Sequence, residues 1–348
     1  MAEPNPDVVR IPTPLALAET QMLQALQMSR DDFRDLPHLT MFPSAMPIIG
    51  PMIPSDLWTV GARTGNGKTT FLLNLFEGLV ERRLPTLFLT TEISAAQMRR
   101  QWAALRLGFR PDYVLENAWH LLPPGAQEMV DGDVKYQCEH LPDVGLFHDL
   151  PRLDASGVRK ALKEYAIGAR YSIVILDHIN RWIPRDGSQK TQELTEAVQG
   201  FKEVAMKHKL CVILAAQISR GQDRNPLADF LPPPLSALQQ TSALEQESSV
   251  VIMLHRQRKA DATAAMMKEV VNGQREAKDL LEEGVMCMSV GKHRRRGSSV
   301  GRMIRLKVAK GGKLEDEMTE QVRQQFEATQ AVPAPREPGE EPEQELPF

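Results

Sequence analysis

Residues 57–70 of the chain read Leu57-Trp58-Thr59-Val60-Gly61-Ala62-Arg63-Thr64-Gly65-Asn66-Gly67-Lys68-Thr69-Thr70. The segment from Leu57 to Val60 predicts a strand, and apolar residues at helical spacing from Phe71 to Val80 predict a helix after the turn. A glycine-rich turn between a strand and a helix is the setting in which this pattern forms a P-loop. Backbone N–H groups in such a turn point inward, and the helix N-terminus adds positive dipole. The segment therefore predicts a site for the phosphates of a nucleoside triphosphate.

The phosphate-binding residues that this pattern predicts are consecutive: Ala62, Arg63, Thr64, Gly65, Asn66, Gly67, Lys68, Thr69 and Thr70. We expect Lys68 to reach the β- and γ-phosphates and the Thr69 hydroxyl to occupy a Mg²⁺ position. The strict pattern begins with glycine, whereas this chain has Ala62 there and Gly61 one residue earlier. The alternative is an ordinary glycine turn before a helix. Mg²⁺ and a nucleotide, ATP, are the predicted ligands.

Composition limits the class of protein. A chain of 348 residues can hold one large α/β domain with extensions or two small domains, and a net charge of −3 indicates no global basic field for nucleic acid. The three cysteines, Cys138, Cys211 and Cys287, have no metal-ligand spacing, so neither zinc nor a disulfide framework is indicated. The N-terminus lacks a signal-peptide pattern, and no apolar run reaches membrane-spanning length. A cytoplasmic protein without a membrane partner is predicted.

Short apolar strands alternate with helical segments between Pro43 and Lys313, which predicts an α/β fold with a mostly parallel sheet covered by helices on both faces. The candidate strands are Leu57–Val60, Thr86–Thr90, Gly145–Phe147, Ser172–Leu176, Cys211–Ala216, Val250–Leu254 and Val285–Val290. Residues 260–283 are rich in Ala, Glu, Lys and Met and predict a helical insertion. Residues 15–29 predict a short amphipathic helix outside the main domain. The Pro- and Glu-rich chain after Pro333 is predicted to be disordered.

Three polar residues follow directly after candidate strands: Glu92, Asp177 and Gln217. Ligands of open parallel sheets bind at the carboxyl ends of strands, so these side chains are expected beside the phosphates. Four apolar residues before Asp177 form a Walker B pattern, in which the carboxylate holds Mg²⁺ or its water. Glu92 is a candidate base for the attacking water and Gln217 a candidate γ-phosphate sensor. The alternatives are a helix-capping role for Asp177 and an N-terminal helix acid for Glu92; His178 is expected to be a packed histidine rather than a base.

The order of these motifs resembles the C-terminal domain of the DnaB-type replicative DNA helicases, which is a RecA-fold motor. The resemblance covers most of the chain, and Thr91-Glu92-Ile93-Ser94 matches the place where that family carries its catalytic glutamate. The other matching motifs are Asp177-His178-Ile179-Asn180, Ala216-Gln217-Ile218-Ser219-Arg220, Pro234-Leu235-Ser236-Ala237-Leu238, Ala243-Leu244-Glu245-Gln246 and Val290-Gly291-Lys292-His293-Arg294. Ala62 at the first P-loop position is a substitution that the family tolerates.

This resemblance implies a hexameric ring around single-stranded DNA, with ATP bound between neighbouring subunits and movement in the 5′ to 3′ direction. It implies that Lys292 and Arg294 reach into the neighbour's site, with Arg294 as the finger that stabilises transition-state charge. Composition alone gives a different interpretation of residues 292–296, because most basic clusters are solvated or contact phosphate backbones.

The chain departs from the family at the loop that grips DNA in the ring channel. The family usually has an arginine followed by an acid and then a glycine, where this chain has Gln239, Gln240 and Ser242. Amides and hydroxyls bind phosphate oxygens without a charge, so DNA contacts should depend less on salt. Arg220 and Arg224 are candidate compensating DNA contacts, as is the 292–296 cluster.

The ends of the chain carry two further expectations. The family's separate N-terminal domain is expected to be absent, and the 15–29 helix to replace only its linker. This helix either folds back on its own domain or, as we hypothesise, docks on an adjacent subunit and closes the ring. The acidic tail ends in Leu346-Pro347-Phe348 and resembles the tip of bacterial single-stranded DNA-binding protein, which binds pockets on replication proteins. A charged solubilising tail is the alternative.

The predicted domains are an N-terminal arm at 1–40, a RecA-like ATPase domain at 41–315 and a frayed helix with an acidic tail at 316–348. The leading functional prediction is an ATP-dependent DNA helicase. Two alternatives remain: a filament-forming RecA-fold recombination or remodelling ATPase, and a nucleotide-gated adaptor or loader that unwinds nothing.

Overall fold

A computed structural model describes residues 36, 37, 39, 41–150, 153–167, 172–183, 190–218, 232–238, 242–256, 263–272, 274 and 282–316. Within them, nine strands form one sheet in the order β3-β2-β4-β5-β1-β6-β7-β8-β9. The strands are β1 Leu57–Ala62, β2 Thr86–Thr90, β3 Gly145–Asp149, β4 Ile173–Asp177, β5 Cys211–Gln217, β6 Val250–His255, β7 Val285–His293, β8 Met303–Val308 and β9 Leu314–Asp316. β1 to β6 pair in parallel, whereas β7, β8 and β9 join by antiparallel pairs.

Helices cover both faces of this sheet. They are α1 Met46–Ile49, α2 Lys68–Glu81, α3 Ala95–Arg106, α4 Pro111–Leu115, α5 Ala126–His140, α6 Ala155–Ala161, α7 Lys190–His208, α8 Ser242–Glu247 and α9 Ala264–Val271. Short 3₁₀ turns lie at Pro43–Ala45, Trp119–Leu121, Ile179–Arg181, Leu235–Ala237, Gly297–Ser299 and Lys310–Gly312, and a π-helical turn at Leu162–Ile167 continues α6. The predicted α/β fold with a mostly parallel sheet is confirmed.

The central strands are buried on both sides. Along β4, Ile173 and Ile175 pack into the core under α2 and α3, whereas Val174 and Leu176 pack into the core under α7. Strands buried on both faces have nearly continuous apolar sequences, and this is why the sequence marks β4 and β5 clearly. In the α2 layer, Phe76 makes edge contacts with Phe88 and Trp102 at centroid distances of 5.8 and 4.9 Å.

All seven predicted strands are present, but β8 and β9 were not predicted. In β8 the buried Ile304 and Leu306 alternate with exposed or half-buried residues, because β8 is near the end of the sheet. β9 has only three residues, too few for a pattern. The fourth strand begins and ends one residue later than predicted, so Asp177 is its last residue.

Residues just before and just after the predicted 41–315 domain pack against it. Leu39 is fully buried in the core, and the Asp316 carboxylate at the end of β9 accepts the Ser44 N–H at 2.5 Å. Helix α9 lies within the predicted 260–283 insertion. The predicted 15–29 helix and the tail lie outside the described residues. No helix in the described ranges is both long and apolar enough to span a bilayer.

Candidate nucleotide-binding site

The turn between β1 and α2 has the backbone of a phosphate-binding loop. Gly65 and Gly67 have φ angles of +80° and +78°, and Gly67 is the N-terminal cap of α2. Residues with a Cβ atom rarely adopt such angles, so both positions favour glycine. The Asn66 N–H donates to the Arg63 carbonyl at 3.1 Å, which closes the turn. The first two peptide N–H groups of α2 are therefore those of Lys68 and Thr69. The helix N-terminus favours an anion at this position.

Asp177 is the residue on which the P-loop side chains converge. The Lys68 ammonium lies 2.9 Å from its Oδ1, and the Thr69 hydroxyl donates to its Oδ2 at 2.7 Å. The side chains of Lys68 and Asp177 are only 13% and 7% exposed, so their charges interact with little solvent screening. β4 ends beside the start of α2 although β5 separates β4 from β1 in the sheet.

The donor chemistry around Asp177 fits Mg²⁺. A hydroxyl and a carboxylate oxygen lie 2.7 Å apart, and Mg²⁺ is usually held by one or two carboxylates together with substrate phosphates and waters. Among the described residues, no cluster of three His, Cys, Asp or Glu side chains forms a cage for a metal ion. A site completed by the phosphates of a nucleotide needs no such cage.

Glu92 lies two residues beyond β2, and its carboxylate contacts His178. The His178 Nε2 lies 3.0 Å from Glu92 Oε1, and an Arg181 guanidinium nitrogen lies 3.9 Å from the same oxygen. His178 is buried, as expected of a packed histidine, but its contact with Glu92 was not predicted. Burial and the nearby Lys68 lower the pKa of His178, although the bond to Glu92 acts in the opposite direction. Helix α3 is capped by Ser94, so Glu92 lies outside its first turn.

Thr91 joins the ends of β2 and β4. Its N–H and its hydroxyl both donate to the Asp177 carbonyl, at 2.9 and 3.0 Å, and its hydroxyl oxygen accepts the His178 N–H at 3.2 Å. The peptide between Asp177 and His178 is cis. Thr91 thus holds the backbone of Glu92 beside the backbone of Asp177, a role that the sequence pattern did not reveal.

Gln217 ends β5 and contacts the P-loop. Its amide nitrogen donates to the Thr64 hydroxyl at 2.7 Å. Its backbone N–H and C=O pair with the side-chain amide of Asn180 at 2.5 and 3.2 Å. Glu92, His178, Asn180 and Gln217 line one side of an open cleft of about 460 Å³.

A second cleft of about 730 Å³ adjoins the P-loop. Its lining includes Gly65, Thr69 and Thr70, together with Arg110 to Asp112 and Val308 to Gly312. Gly311 has a φ of +78°, and its Cα packs so closely on the backbone of Gly108 that a side chain at position 311 has no room. The sequence gives one signal for this wall, a glycine pair between Lys310 and Lys313, which was not used in the prediction.

Lys292 and Arg294 lie at the opposite edge of the sheet from the P-loop. Lys292 pairs with Val251 near the start of β6, and β6 starts beside Trp58 at the beginning of β1. The P-loop follows the other end of β1, about 16–20 Å away for a six-residue strand. Both cationic side chains donate to backbone carbonyls at the end of α8, with the Gln246 carbonyl shared. Burial and Arg294 lower the pKa of Lys292.

Two of the predicted DNA contacts lie among the described residues: Ser242, which is exposed at the first position of α8, and the 292–296 cluster. The remaining predicted DNA contacts lie outside the described residues: Arg220, Arg224, Gln239 and Gln240.

The fold and the site define a P-loop nucleotide-binding domain of the RecA-like class, with the P-loop on the central strand and an acidic residue two strands away. The family model of the DnaB-like helicase C-terminal domain matches residues 40–309, and the chain belongs to that family. The predicted family is confirmed.

Curated relatives agree with this assignment. The chain is 25% identical over 215 residues to a probable replicative DNA helicase of Trieres chinensis, covering 58% of this chain and 43% of that protein. It is 21% identical over 221 residues to the replicative DNA helicase DnaB of Treponema pallidum, covering 63% of this chain and 48% of that protein. The chain thus spans less than half the length of these relatives.

A solved structure shows the same fold. The chain is similar to a DnaB-like replicative helicase whose structure was determined together with its interactions with primase. The TM-score is 0.64 at 13% sequence identity, and the match covers 86% of this chain and 67% of that one. At this identity the likeness establishes the fold alone.

Proposed function

We propose that this chain is an ATP-hydrolysing DNA helicase of the DnaB-like class, acting in replication. It would couple hydrolysis at subunit interfaces to 5′ to 3′ movement on single-stranded DNA, in the cytoplasm. The observation that carries the proposal is the meeting of Lys68 and Thr69 on Asp177, with Glu92 and Gln217 at the neighbouring strand ends. The relatives named as replicative DNA helicases support it.

The residues have separate tasks in this mechanism. Lys68 would exchange its contact with Asp177 for the β- and γ-phosphates of ATP. Thr69 and Asp177 would hold Mg²⁺, which neutralises the charge that develops on the phosphates. Glu92 would orient and deprotonate the attacking water, because it is half exposed and follows the strand next to β4. Gln217 would exchange its bond to Thr64 for the γ-phosphate.

The second cleft is the proposed place for the nucleoside. It begins at Thr69 and Thr70, where the first turn of α2 would hold the phosphates, and it extends toward Arg110 and Gly312. Its lining combines apolar side chains with the glycine pair at positions 311 and 312, so it admits a flat base beside the phosphates.

The remaining residues of the catalytic site would come from other copies of the chain. Because Lys292 and Arg294 lie at the far edge of the sheet, they would complete the site of a neighbouring subunit in a hexameric ring. The 15–29 helix would dock on an adjacent subunit, and Leu346-Pro347-Phe348 would bind replication proteins. Ser242 would contact DNA with Gln239, Gln240, Arg220 and Arg224.

Forked DNA tests the proposal directly. The unmodified chain should separate the strands with ATP and Mg²⁺, whereas Glu92→Gln and Arg294→Ala should retain ATP binding and lose hydrolysis by about 10²–10⁵-fold. Hydrolysis should rise when single-stranded DNA is added.

Two results would favour the alternatives. ATP hydrolysis without strand separation would support the adaptor, which the uncharged Gln239, Gln240 and Ser242 favour. Filaments in place of closed rings, seen by electron microscopy, would support the recombination or remodelling ATPase.

A further inference from the structure

The contact between His178 and Glu92 joins two residues that are 86 positions apart in the chain. The His178 side chain is 5% exposed, while the Glu92 side chain is 52% exposed. Among the described residues, Glu92 is contacted at Oε1, by the His178 Nε2 at 3.0 Å and by the Arg181 guanidinium at 3.9 Å. One carboxylate oxygen is therefore bound to the protein wall, and in the part of the chain that the structure describes the other has no ion pair or hydrogen bond.

The geometry also determines which ring nitrogen carries the proton. A carboxylate only accepts hydrogen bonds, so the His178 Nε2 must be the N–H that donates to Glu92. The other nitrogen, Nδ1, is buried and has no hydrogen-bond partner among the described residues. A buried N–H without a partner costs more than a buried lone pair, so the ring carries its proton on Nε2 alone.

The backbone of His178 is held independently of its side chain. The His178 N–H donates to Thr91, whose own N–H and hydroxyl donate to the Asp177 carbonyl. A change of the ring therefore leaves in place the bonds that keep β2 next to β4. Within the described ranges, the ring's polar contact is with Glu92.

We infer that His178 is a positioning residue that holds Glu92 Oε1, so that Glu92 presents its second oxygen to the water that attacks the γ-phosphate. This inference rests on the proposed function, in which Glu92 is the base. A long, half-exposed side chain samples several rotamers, and a base displaced by about 1 Å loses up to about 10²-fold in rate. The ring restricts Glu92 to one of these rotamers while leaving the water's side open.

The test compares two substitutions of His178 in the full chain. His178→Leu removes the N–H donor, and kcat for ATP hydrolysis should fall about 10–100-fold with the KM for ATP changed less than about twofold. His178→Gln carries an amide N–H at a similar reach and should recover most of the loss. The control is His120→Leu, because His120 is an exposed histidine in another part of the fold and its loss should leave kcat unchanged. Thermal unfolding and ATP binding are measured for each variant.

A double variant separates positioning from general damage. In a Glu92→Gln background, His178→Leu should cause no further loss, because the group that it positions is already disabled. An unchanged or increased kcat in His178→Leu, an equal loss in His178→Gln, a loss of ATP binding, or a further fall in the double variant overturns the inference while Glu92 keeps its proposed role. Full hydrolysis by Glu92→Gln alone overturns the proposed base, and the inference with it.

Discussion

Gly67 is the residue at which the P-loop becomes helix α2, and its conformation sets the direction of the N–H groups that follow. Its φ of +78° lies in the left-handed region, and a Cβ atom there meets the end of the Met286 side chain. The position of the Asp177 carboxylate is equally constrained, because its two oxygens contact Lys68 and Thr69 at the same time. The candidate site thus depends on backbone angles at one residue and on two short side-chain contacts at another.

Replacing Gly67 with alanine should destabilise the fold by about 1–2 kcal/mol, the cost of a left-handed residue with a Cβ atom. ATP binding should weaken by about 10-fold, because the N–H groups at the start of α2 are displaced. Gly132→Ala is the matched control, since Gly132 lies in helix α5 with open space around it and alanine there should stabilise by about 0.5–1 kcal/mol. Urea unfolding and nucleotide titration measure both effects. Equal behaviour of the two variants would contradict the assigned P-loop geometry.

The Asn74 side chain connects helix α2 to β9 and to the turn before it. The Asn74 amide nitrogen donates to the Thr70 and Gly312 carbonyls at 2.8 and 3.0 Å, and its oxygen accepts the Leu314 N–H at 2.8 Å. This amide holds the wall of the second cleft against the helix that carries the P-loop.

Asn74→Ala should lower the free energy of unfolding by about 1–3 kcal/mol, because two buried backbone groups lose their partner. ATP should also bind more weakly, since the wall formed by Lys310 to Gly312 loosens. Asn272→Ala is the control, because Asn272 is an exposed residue at the end of α9. A stability change of less than about 0.5 kcal/mol in Asn74→Ala, similar to the control, would show that the amide does not connect these elements.

His293, the last residue of β7, joins that strand to the end of helix α1. Its Nε2–H donates to the Ile49 carbonyl at 2.8 Å, and its Nδ1 accepts the N–H groups of Arg295 and Arg296 at 3.2 and 3.1 Å. A proton on Nδ1 would face two N–H donors, so the ring must be neutral. Burial, together with Arg295 and Arg296, lowers the pKa of His293 from its ordinary 6.5, against the effects of the Ile49 bond and Asp56.

This lowered pKa predicts a loss of stability in acid. The folded state binds fewer protons than the unfolded state once the pH falls below the ordinary value of 6.5. The free energy of unfolding should be insensitive to this group above that pH, then fall toward the folded-state pKa by at most about 1.4 kcal/mol per pH unit. Urea unfolding between pH 8 and 5 measures the slope. His293→Gln should be less stable at pH 8 and should lose this part of the slope; an identical slope in the variant would contradict the prediction.

At the scale of the whole molecule, the sheet separates the two halves of the proposed catalytic site. Lys68, Asp177 and Glu92 lie at the carboxyl edge, and Lys292 and Arg294 at the opposite edge. A rigid sheet cannot bring these edges together within one chain, so the proposed site would take Lys292 and Arg294 from a second copy.

Mixing inactive variants tests this arrangement. Lys68→Ala and Arg294→Ala should each be inactive alone, but at equal mixing about a quarter of the interfaces should combine an intact Lys68 with an intact Arg294 and recover hydrolysis. Two portions of Lys68→Ala mixed together are the control and should stay inactive. Full hydrolysis by the unmodified chain as a monomer would contradict the shared site.

Local patterns in the sequence were sufficient for much of this molecule. These features are the apolar segments of β1 to β7, the glycine turn before α2 and the acidic residue after four apolar ones. Each is formed by residues that are neighbours in the chain, so their burial and backbone angles appear in the sequence as a periodic pattern or a fixed spacing. Contacts between distant segments left no periodic pattern or fixed spacing, and the glycine pair at positions 311 and 312 was their one local sign. Examples are the bond of His178 to Glu92, the Asn180–Gln217 pair and the packing of Gly311 on Gly108. Such contacts depend on which strands lie side by side and on how closely loops approach each other. Both the strand order and the loop distances are decided only when the sheet is assembled.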